Sequence, residues 1–215
     1  MVNLITISRE RGSGGRPIAQ RLAAELGMQC YGKEIIYEIA KSAGVSKESV
    51  EKFDQEHYNK WHLMVDSLRM STHLSPDYGL GFNLSAIEPE IFFTQDRYLK
   101  ATQEILKKLA SRPGVILLGR GTQVIFKDRK DALHIRLVAP LDTRIKRIQE
   151  LMQMSSKEAT KHVTELDKSR AAYLRDFYGV DVNDAKYYHL TINSGLLDYD
   201  QTIEMIKRAM EILSH

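Results

Sequence analysis

The chain has 215 residues, 43% of them hydrophobic, and a formal net charge of +3, the balance of an ordinary soluble globular protein. So small a charge gives no argument for a nucleic-acid partner. No apolar run approaches the roughly 20 residues that span a bilayer, and Cys30 is the only cysteine, which excludes an intramolecular disulfide and a cysteine-based metal site. Residues 1–7 are too short for a signal peptide, so we expect a cytoplasmic protein.

The first elements are the easiest to interpret. Residues 4–7 form a β-branched run that is typical of a buried strand. A glycine-rich turn follows at residues 12–15, and Pro17 lies where a helix begins. Apolar residues share one helical face over residues 18–26, and Gly27 ends that pattern. The pattern predicts a strand, a glycine loop and a helix in succession.

The rest of the chain alternates between strand patterns and longer helical patterns. Further strands are predicted at residues 28–31, 115–118, 132–138 and 188–193. Further helices are predicted at residues 33–43, from Ser46 onward, and at 91–110, 141–152, 156–176 and 201–213. Residues 57–90 mix aromatic residues with glycine and proline, which favours either a mobile or a partner-facing insertion. The alternation predicts an α/β fold whose parallel sheet is covered by helices on both faces.

The glycine loop has the composition of an anion-binding site. A helix N-terminus offers unpaired N–H groups and the positive end of the helix dipole. Glycines let the preceding backbone curl so that successive N–H groups point inward. Its place after the first strand favours a ligand over a plain turn, because ligands bind at the carboxyl ends of such strands. We predict that nucleotide phosphates bind to Gly12, Ser13, Gly14, Gly15 and Arg16.

This loop lacks the lysine of the Walker A motif, G-x-x-x-x-G-K-[ST]. When Gly14 is aligned with the last glycine of that motif, Gly15 takes the lysine position and Arg9 takes the first glycine position. Arg16 comes one residue late, and its long guanidinium is the candidate replacement. A nucleotide-binding regulatory module with little turnover is the alternative that the missing lysine favours.

Several segments resemble the cytidylate kinase-like proteins, P-loop relatives of bacterial cytidylate kinase. The resemblance covers nearly the whole chain except residues 57–90. The matching segments are residues 5–10, 12–19, 31–36, 119–121, 139–148 and 167–173. Gly32 stands where that family carries an aspartate in its Y-D-K-E-[IL]-I segment, and Gly121 replaces the acid of the G-R-D segment of cytidylate kinases proper.

The resemblance implies a single domain with the P-loop NTPase fold and a five-stranded parallel sheet. It implies a helical acceptor-binding insertion at residues 32–110 and a lid at residues 155–187. It implies ATP and Mg²⁺ as cofactors and phosphoryl transfer to a nucleoside monophosphate, CMP first, with another small acceptor as the alternative. The expected partners are the nucleotide and the acceptor, without nucleic acid or membrane, and a homodimer is compatible with them.

Phosphoryl transfer depends on positive charge around the equatorial oxygens. By position in the resemblance, Arg120 matches the arginine that contacts the monophosphate, and Lys33 lies in the acceptor segment. Arg170 and Arg175 fall in the lid, but a spacing of five sets them about 140° apart on one helix. They flank one phosphate only if the helix ends or bends between them. The catalytic candidates are Arg16, Arg120, Arg170 and Arg175, and the substrate-binding candidates are Lys33 and Arg120.

Other polar and aromatic residues receive weaker assignments. Arg144 and Arg147 belong either to the phosphate site or to a solvated helix face paired with Asp142 or Glu150. Glu10 and Asp167 are the carboxylates that Mg²⁺ would use if water and substrate phosphates do not suffice. We expect Tyr173, Phe177 and Tyr178 to be packing residues. We assign no ligand role to His57, His62 and His73, because they lack the spacing of a metal site.

Overall fold

A computed structural model describes residues 1–51, 53, 54 and 94–213 of the chain. The predicted insertion at residues 57–90, with its three histidines, lies outside the described residues, as do residues 91–93 of one predicted helix. Among the described residues, no helix combines the length and the apolar character that crossing a membrane requires.

Five parallel strands form one sheet in the order β2-β3-β1-β4-β5, which confirms the predicted sheet. The strands are β1 (Leu4–Arg9), β2 (Gln29–Tyr31), β3 (Val115–Leu118), β4 (Ala132–Val138) and β5 (Leu190–Asn193). Because β1 is central, the chain that leaves its carboxyl end enters the crevice between its two neighbours, where ligands of open α/β sheets bind.

Eight α-helices are described. They are α1 (Gly15–Leu26), α2 (Ile35–Ala43), α3 (Lys47–Glu51), α4 (Gln95–Ala110), α5 (Thr122–Ile125), α6 (Leu141–Met152), α7 (Ser156–Tyr178) and α8 (Tyr199–Ile212). The sequence did not predict α5 or the 3-10 turn Ala185–Tyr187, because a single turn is too short to show periodicity. The 3-10 turn also delays the start of β5 to Leu190.

The long helix α7 is closed at both ends by its own sequence. Ser155 and Glu158 form a capping box, in which each side chain accepts a hydrogen bond from the other residue's backbone N–H. Gly179 ends the helix in a left-handed conformation with φ of 67°, as its place in the sequence predicted. The helix therefore runs unbroken past Asp167, Arg170 and Arg175.

The core lies on both faces of the sheet. Alternate residues of β1 point to opposite sides, so Leu4 packs with α2, α4 and α7, whereas Ile5 and Ile7 pack with α1 and α8. Tyr173 is fully buried in the first cluster, with its ring centroid 4.6 Å from that of Phe177 and 6.0 Å from that of Tyr178. The predicted packing role of these three aromatics is confirmed.

Candidate phosphate-binding site

The loop between β1 and α1 is a tight bend that needs glycine at two positions. Gly12 and Gly14 have φ of 84° and 78°, a left-handed conformation that L side chains rarely adopt. A Cβ on Gly12 would lie 2.7 Å from the carbonyl oxygen of Arg144, and one on Gly14 would lie 2.6 Å from the ring of Tyr199. Backbone conformation and close packing therefore both exclude a side chain there.

The backbone N–H groups of this loop fall into two sets. The N–H of Arg11 donates to the Asp167 carboxylate at 2.8 Å, and the N–H of Ser13 donates to the Glu10 carbonyl at 3.3 Å. Four further N–H groups donate to no other atom in the described part of the chain, and their residues line one cavity. These are the N–H groups of Gly12, Gly14, Gly15 and Arg16. The last two also stand at the positive end of the α1 dipole, so the loop offers four donors to an anion.

Arg144 fixes the loop from behind the cavity. This arginine of α6 is 8% exposed, and its guanidinium pairs with the carboxylates of Glu10, at 3.3 Å, and Asp167. It also donates to the carbonyls of Ala139 at 2.9 Å and Arg11 at 3.2 Å. The solvated helix face that was one interpretation of Arg144 is wrong, because burial gives it these partners in place of Asp142 or Glu150.

Arg147 holds the loop from the same helix. Its guanidinium donates to the carbonyl oxygens of Ser194 at 2.8 Å and Gly12 at 3.4 Å, and it lies 5.6 Å from the ring centroid of Tyr199. The Ser194 hydroxyl donates in turn to the carbonyl of Ser13. The segment between β5 and α8 thus braces the loop. Ser194 and Tyr199 were not predictable from the sequence, since neither belongs to a recognisable motif.

The cavity at the carboxyl ends of the central strands has a volume of about 620 Å³. Six cationic and three acidic side chains line it. The cations are Arg9, Arg11, Arg16, Lys33, Arg147 and Arg170, and the acids are Glu10, Glu34 and Glu150. Positive charge therefore exceeds negative charge around the four N–H donors, which favours a polyanionic ligand.

Besides the loop glycines Gly12, Gly14 and Gly15, three of the predicted charged site residues line this cavity. Arg16 lines it and pairs with Glu34 at 2.9 Å, with 55% and 57% of the two side chains exposed. Lys33 lines it next to Glu34. Arg170 is 7% exposed, lines the same cavity, and donates to the carbonyl of Arg9 at 3.3 Å. The structure therefore brings Arg16, Lys33 and Arg170 to the same cavity.

Glu34 and Cys30 show how strongly the cavity's charges act. Burial raises the pKa of Glu34, but hydrogen bonds from backbone N–H groups and the guanidiniums of Arg16 and Arg120 outweigh it, so this pKa lies below its ordinary value. Burial and the Glu34 charge raise the pKa of Cys30 to about 11, against the opposing charges of Arg16 and Arg9. The thiol therefore stays neutral at physiological pH and acts as a wall of the cavity.

Arg120 lies beside the cavity and does not line it. It is 1% exposed and adopts φ of 56° between Gly119 and Gly121, which are also left-handed. Its guanidinium donates to the carbonyl of Gly32 at 2.7 Å and pairs with Asp54, which is equally buried, at 2.9 Å. The sequence missed Asp54, because a lone carboxylate outside any motif has no distinguishing spacing.

Arg175 does not reach the cavity. Its side chain is 68% exposed and pairs with the adjacent Asp176 at 2.9 Å. Because α7 continues unbroken to Tyr178, the angular separation of about 140° between Arg170 and Arg175 is kept. The condition under which both arginines would flank one phosphate is not met in this structure.

The parallel sheet, the glycine loop after its central strand and the cation-lined cavity together define the P-loop NTPase fold. Shikimate kinase from Bacteroides thetaiotaomicron superposes with a TM-score of 0.51 at 12% sequence identity, covering 97% of this chain and 98% of that one. An uncharacterized protein from Eubacterium ventriosum superposes with a TM-score of 0.68 at 20% identity, covering 98% and 99%.

Residues 4–196 match the cytidylate kinase-like family, and the chain belongs to that family. Cytidylate kinase from Methanosarcina mazei is 30% identical over 131 residues, which cover 60% of this chain and 69% of that protein. Cytidylate kinase from Methanopyrus kandleri is 25% identical over 219 residues, which cover 98% and 94%. The resemblance drawn from the sequence motifs is confirmed.

Proposed function

We propose that this protein transfers the γ-phosphoryl group of ATP to a nucleoside monophosphate, with CMP as the preferred acceptor. The observation that carries the proposal is the set of four N–H donors, at Gly12, Gly14, Gly15 and Arg16, in a cavity with an excess of cations. Membership of the cytidylate kinase-like family supports nucleotide kinase chemistry, and the relatives named cytidylate kinase support CMP.

In the proposed reaction, a phosphate oxygen of the acceptor attacks the γ-phosphorus of ATP. The bond between the γ-phosphorus and the β–γ bridging oxygen breaks, ADP leaves, and the acceptor becomes a nucleoside diphosphate. The protein supplies positioning and positive charge. The loop N–H groups bind the phosphates of the ADP portion. Arg170 is buried and already ordered, so it neutralises charge on the transferred group with little further loss of side-chain entropy.

The acceptor side lies next to residues 32–34, where Lys33 lines the cavity. Arg120 positions this segment through the Gly32 carbonyl. For Arg120 to contact the acceptor phosphate, as its place in the family motif implies, its guanidinium exchanges Asp54 for phosphate oxygens. The segment of residues 32–110 serves as the acceptor-binding part and residues 155–187 as the lid.

Mg²⁺ enters this proposal bound to ATP. A protein-built site does not fit the described residues: the carboxylates of Glu10 and Asp167 are held by Arg144 and by backbone N–H groups. Across residues 1–51, 53, 54 and 94–213, no group of three or more histidine, cysteine or acidic side chains could hold a metal. Mg²⁺ binds readily to phosphate oxygens while keeping several waters. When bound, it neutralises charge on the ATP phosphates.

A second candidate function is nucleotide binding with little turnover. Two observations favour it: glycine stands in place of the loop lysine, and Arg120 is held by Asp54 away from the cavity lining. Such a protein would bind ATP through the same four N–H groups but respond to no acceptor.

The test is ADP release from Mg²⁺–ATP, measured with CMP, UMP, AMP, GMP and shikimate in turn and without acceptor. We expect CMP to stimulate ADP release most strongly, and Gly12→Ala to abolish that stimulation. Stronger stimulation of ADP release by another acceptor would show that this acceptor, and not CMP, is preferred. Tight ATP binding by calorimetry without any acceptor response would favour the second candidate, and absence of ATP binding would contradict both.

A further inference from the structure

We propose that Arg9, in place of Arg16, supplies the positive charge that the missing loop lysine provides in Walker A loops; this inference rests on the proposed function. Arg9 is the last residue of the central strand β1 and lies six positions before Gly15, which holds the lysine position. Arg9 was not among the catalytic or binding candidates predicted from the sequence.

The first argument concerns the glycine at position 15. Gly12 and Gly14 have positive φ, but Gly15 does not, and it opens helix α1. Glycine inside a helix costs about 1 kcal/mol relative to alanine, so backbone conformation does not explain its presence. A Cβ at Gly15 would instead lie 2.8 Å from both Cβ and Cγ of Arg9 and 3.6 Å from its Cδ. The side chain of Arg9 therefore occupies the space that a residue-15 side chain would enter.

The second argument concerns where the Arg9 side chain leads. Arg9 lines the cavity at the carboxyl ends of the central strands, together with Gly15 and Cys30. Its positive charge acts on the pKa of Cys30, in opposition to burial and to Glu34, which together keep that pKa raised. Its backbone carbonyl accepts a hydrogen bond from Arg170, at 3.3 Å, so Arg170 reaches the end of β1 from α7. The stem of Arg9 therefore lies against the first residue of α1, and the residue lines the cavity there.

Arg16 is less suited to this role. It occupies the position that follows the lysine in the Walker A alignment, and it pairs with Glu34 at 2.9 Å while more than half exposed. Its charge is partly compensated by that carboxylate and screened by water. Arg9 instead lies across the first residue of α1, where the β-phosphate binds in the proposed reaction.

The chemistry required of Arg9 is simple. Its guanidinium donates hydrogen bonds to non-bridging oxygens of the β- and γ-phosphates in ATP. As the bond from the γ-phosphorus to the bridging oxygen breaks, negative charge grows on the β-phosphate of the leaving ADP, and Arg9 stabilises it. Guanidinium keeps its charge at every physiological pH and binds phosphate in a bidentate manner, so it can replace an ammonium group here.

The experiment compares Arg9→Gln with Arg16→Gln, the competing candidate, and with the control Arg21→Gln, an exposed arginine of α1 that does not line the cavity. Turnover and calorimetric binding of ATP, ADP and AMP are measured for each, with denaturant unfolding as a check on folding. We expect Arg9→Gln to lower kcat by about 100-fold, the effect of removing one preorganised donor to a transition state, and to weaken ATP and ADP binding but not AMP binding. Arg21→Gln is expected to change kcat by less than about threefold, as for a screened surface charge. Arg16→Gln is expected to lower kcat by less than Arg9→Gln does, and a larger loss in Arg16→Gln would return the role to Arg16.

A charge swap provides the sharper readout. Arg9→Gly removes the side chain that blocks position 15, and Gly15→Lys then rebuilds the Walker A lysine in the same molecule. We expect the double variant Arg9→Gly/Gly15→Lys to regain at least about tenfold in kcat over Arg9→Gly alone, because the cation returns to the phosphates from the other side. Gly15→Lys alone is expected to lower stability, since its stem meets Arg9.

The outcomes separate this inference from the proposed function. Wild-type kcat and ATP affinity in Arg9→Gln, or a double variant no more active than Arg9→Gly, would overturn the role of Arg9. Should the wild type show no acceptor-dependent turnover, the proposed function fails. Selective loss of ATP over AMP binding in Arg9→Gln would still support Arg9 as the phosphate-contacting cation, and equal binding would overturn it. Absence of ATP binding in the wild type contradicts both.

Discussion

Arg144 and Arg120 are both buried arginines paired with carboxylates, and they serve opposite sides of the cavity. Arg144 pairs with Glu10 and Asp167, both next to the glycine loop, and does not line the cavity. Arg120 pairs with Asp54 on the proposed acceptor side, and it is the residue that the motif resemblance assigns to the acceptor. If the proposed function is correct, the ATP side is held in its working shape beforehand, whereas acceptor binding would have to compete with an existing ion pair.

The largest effect is expected from Arg144→Met, which removes the buried arginine on the ATP side. Removing one partner of a buried ion pair costs about 3–5 kcal/mol, because the remaining charges are left uncompensated. We expect the free energy of unfolding to fall by this amount and ATP affinity to be lost, as measured by denaturant titration and calorimetry. The control is Lys146→Met, an exposed position on the same helix. Unchanged ATP affinity in Arg144→Met would show that the loop does not depend on this arginine.

The acceptor side is tested by two substitutions with opposite expected signs. Arg120→Gln removes the guanidinium and is expected to raise the KM for the acceptor by about tenfold or more, the equivalent of one charge-assisted contact. Asp54→Asn removes the competing carboxylate and is expected to lower that KM, at a cost in stability of about 2–4 kcal/mol from the unpaired buried arginine. Steady-state kinetics with ATP and acceptor varied separately would show both effects, with the KM for ATP little changed. A rise of acceptor KM in both variants would mean that Asp54 supports acceptor binding.

A glycine pair separates backbone strain from loop packing. Gly12 and Gly27 both have positive φ, but a Cβ on Gly27 has nothing within 4 Å, whereas one on Gly12 meets the backbone of Arg144. Gly27→Ala is expected to cost about 1–2 kcal/mol in unfolding free energy from the left-handed conformation alone, with ATP affinity unchanged. Gly12→Ala is expected to cost more and to lose ATP binding. Equal effects of the two variants on ATP affinity would contradict the claim that the Gly12 loop binds ATP.

The smallest expected effect is a pH dependence of folding stability, which arises from His134 in strand β4. His134 is 3% exposed, bonded to Thr6 at 2.8 Å and to the Phe126 carbonyl at 3.1 Å, and burial together with the charge of His189 lowers its pKa to about 4. Between that value and the ordinary value of 6.5 the unfolded chain binds the extra proton, so stability falls as pH falls through this window.

We expect a loss of unfolding free energy on the order of 2 kcal/mol between pH 6.5 and pH 4, measured by denaturant titration at each pH. In His134→Gln this slope should flatten, although His189 retains a smaller share because burial lowers its pKa too. If His134→Gln leaves the pH dependence of the unfolding free energy unchanged, the titrating group is not His134.

The sequence predicted the fold well because the fold depends on local patterns. Strand patterns identified the five strands of the described residues, and glycines marked the ends of α1 and α7. The glycine loop was recognised because strand, turn and helix follow one another directly.

The site was less predictable because its contacts join distant parts of the chain. Asp167 reaches the Arg11 N–H across 156 positions, and Arg144 reaches the Arg11 carbonyl across 133. No spacing rule connects such residues. Arg9 was overlooked for a related reason: its relation to Gly15 is a steric one, visible only when the strand end and the helix start are placed in space.

The most direct measurement is an amide NMR titration of the ¹⁵N-labelled protein with ADP, with AMP as the control. The account predicts that ADP moves the amide proton signals of Gly12, Gly14, Gly15 and Arg16 strongly downfield, because these N–H groups acquire phosphate acceptors. The amide signals of Arg11 and Ser13, which already have protein acceptors, should move little. Large shifts at Arg11 and Ser13 without shifts at the other four, or no loop shifts at saturating ADP, would contradict the claim that this loop binds nucleotide phosphates.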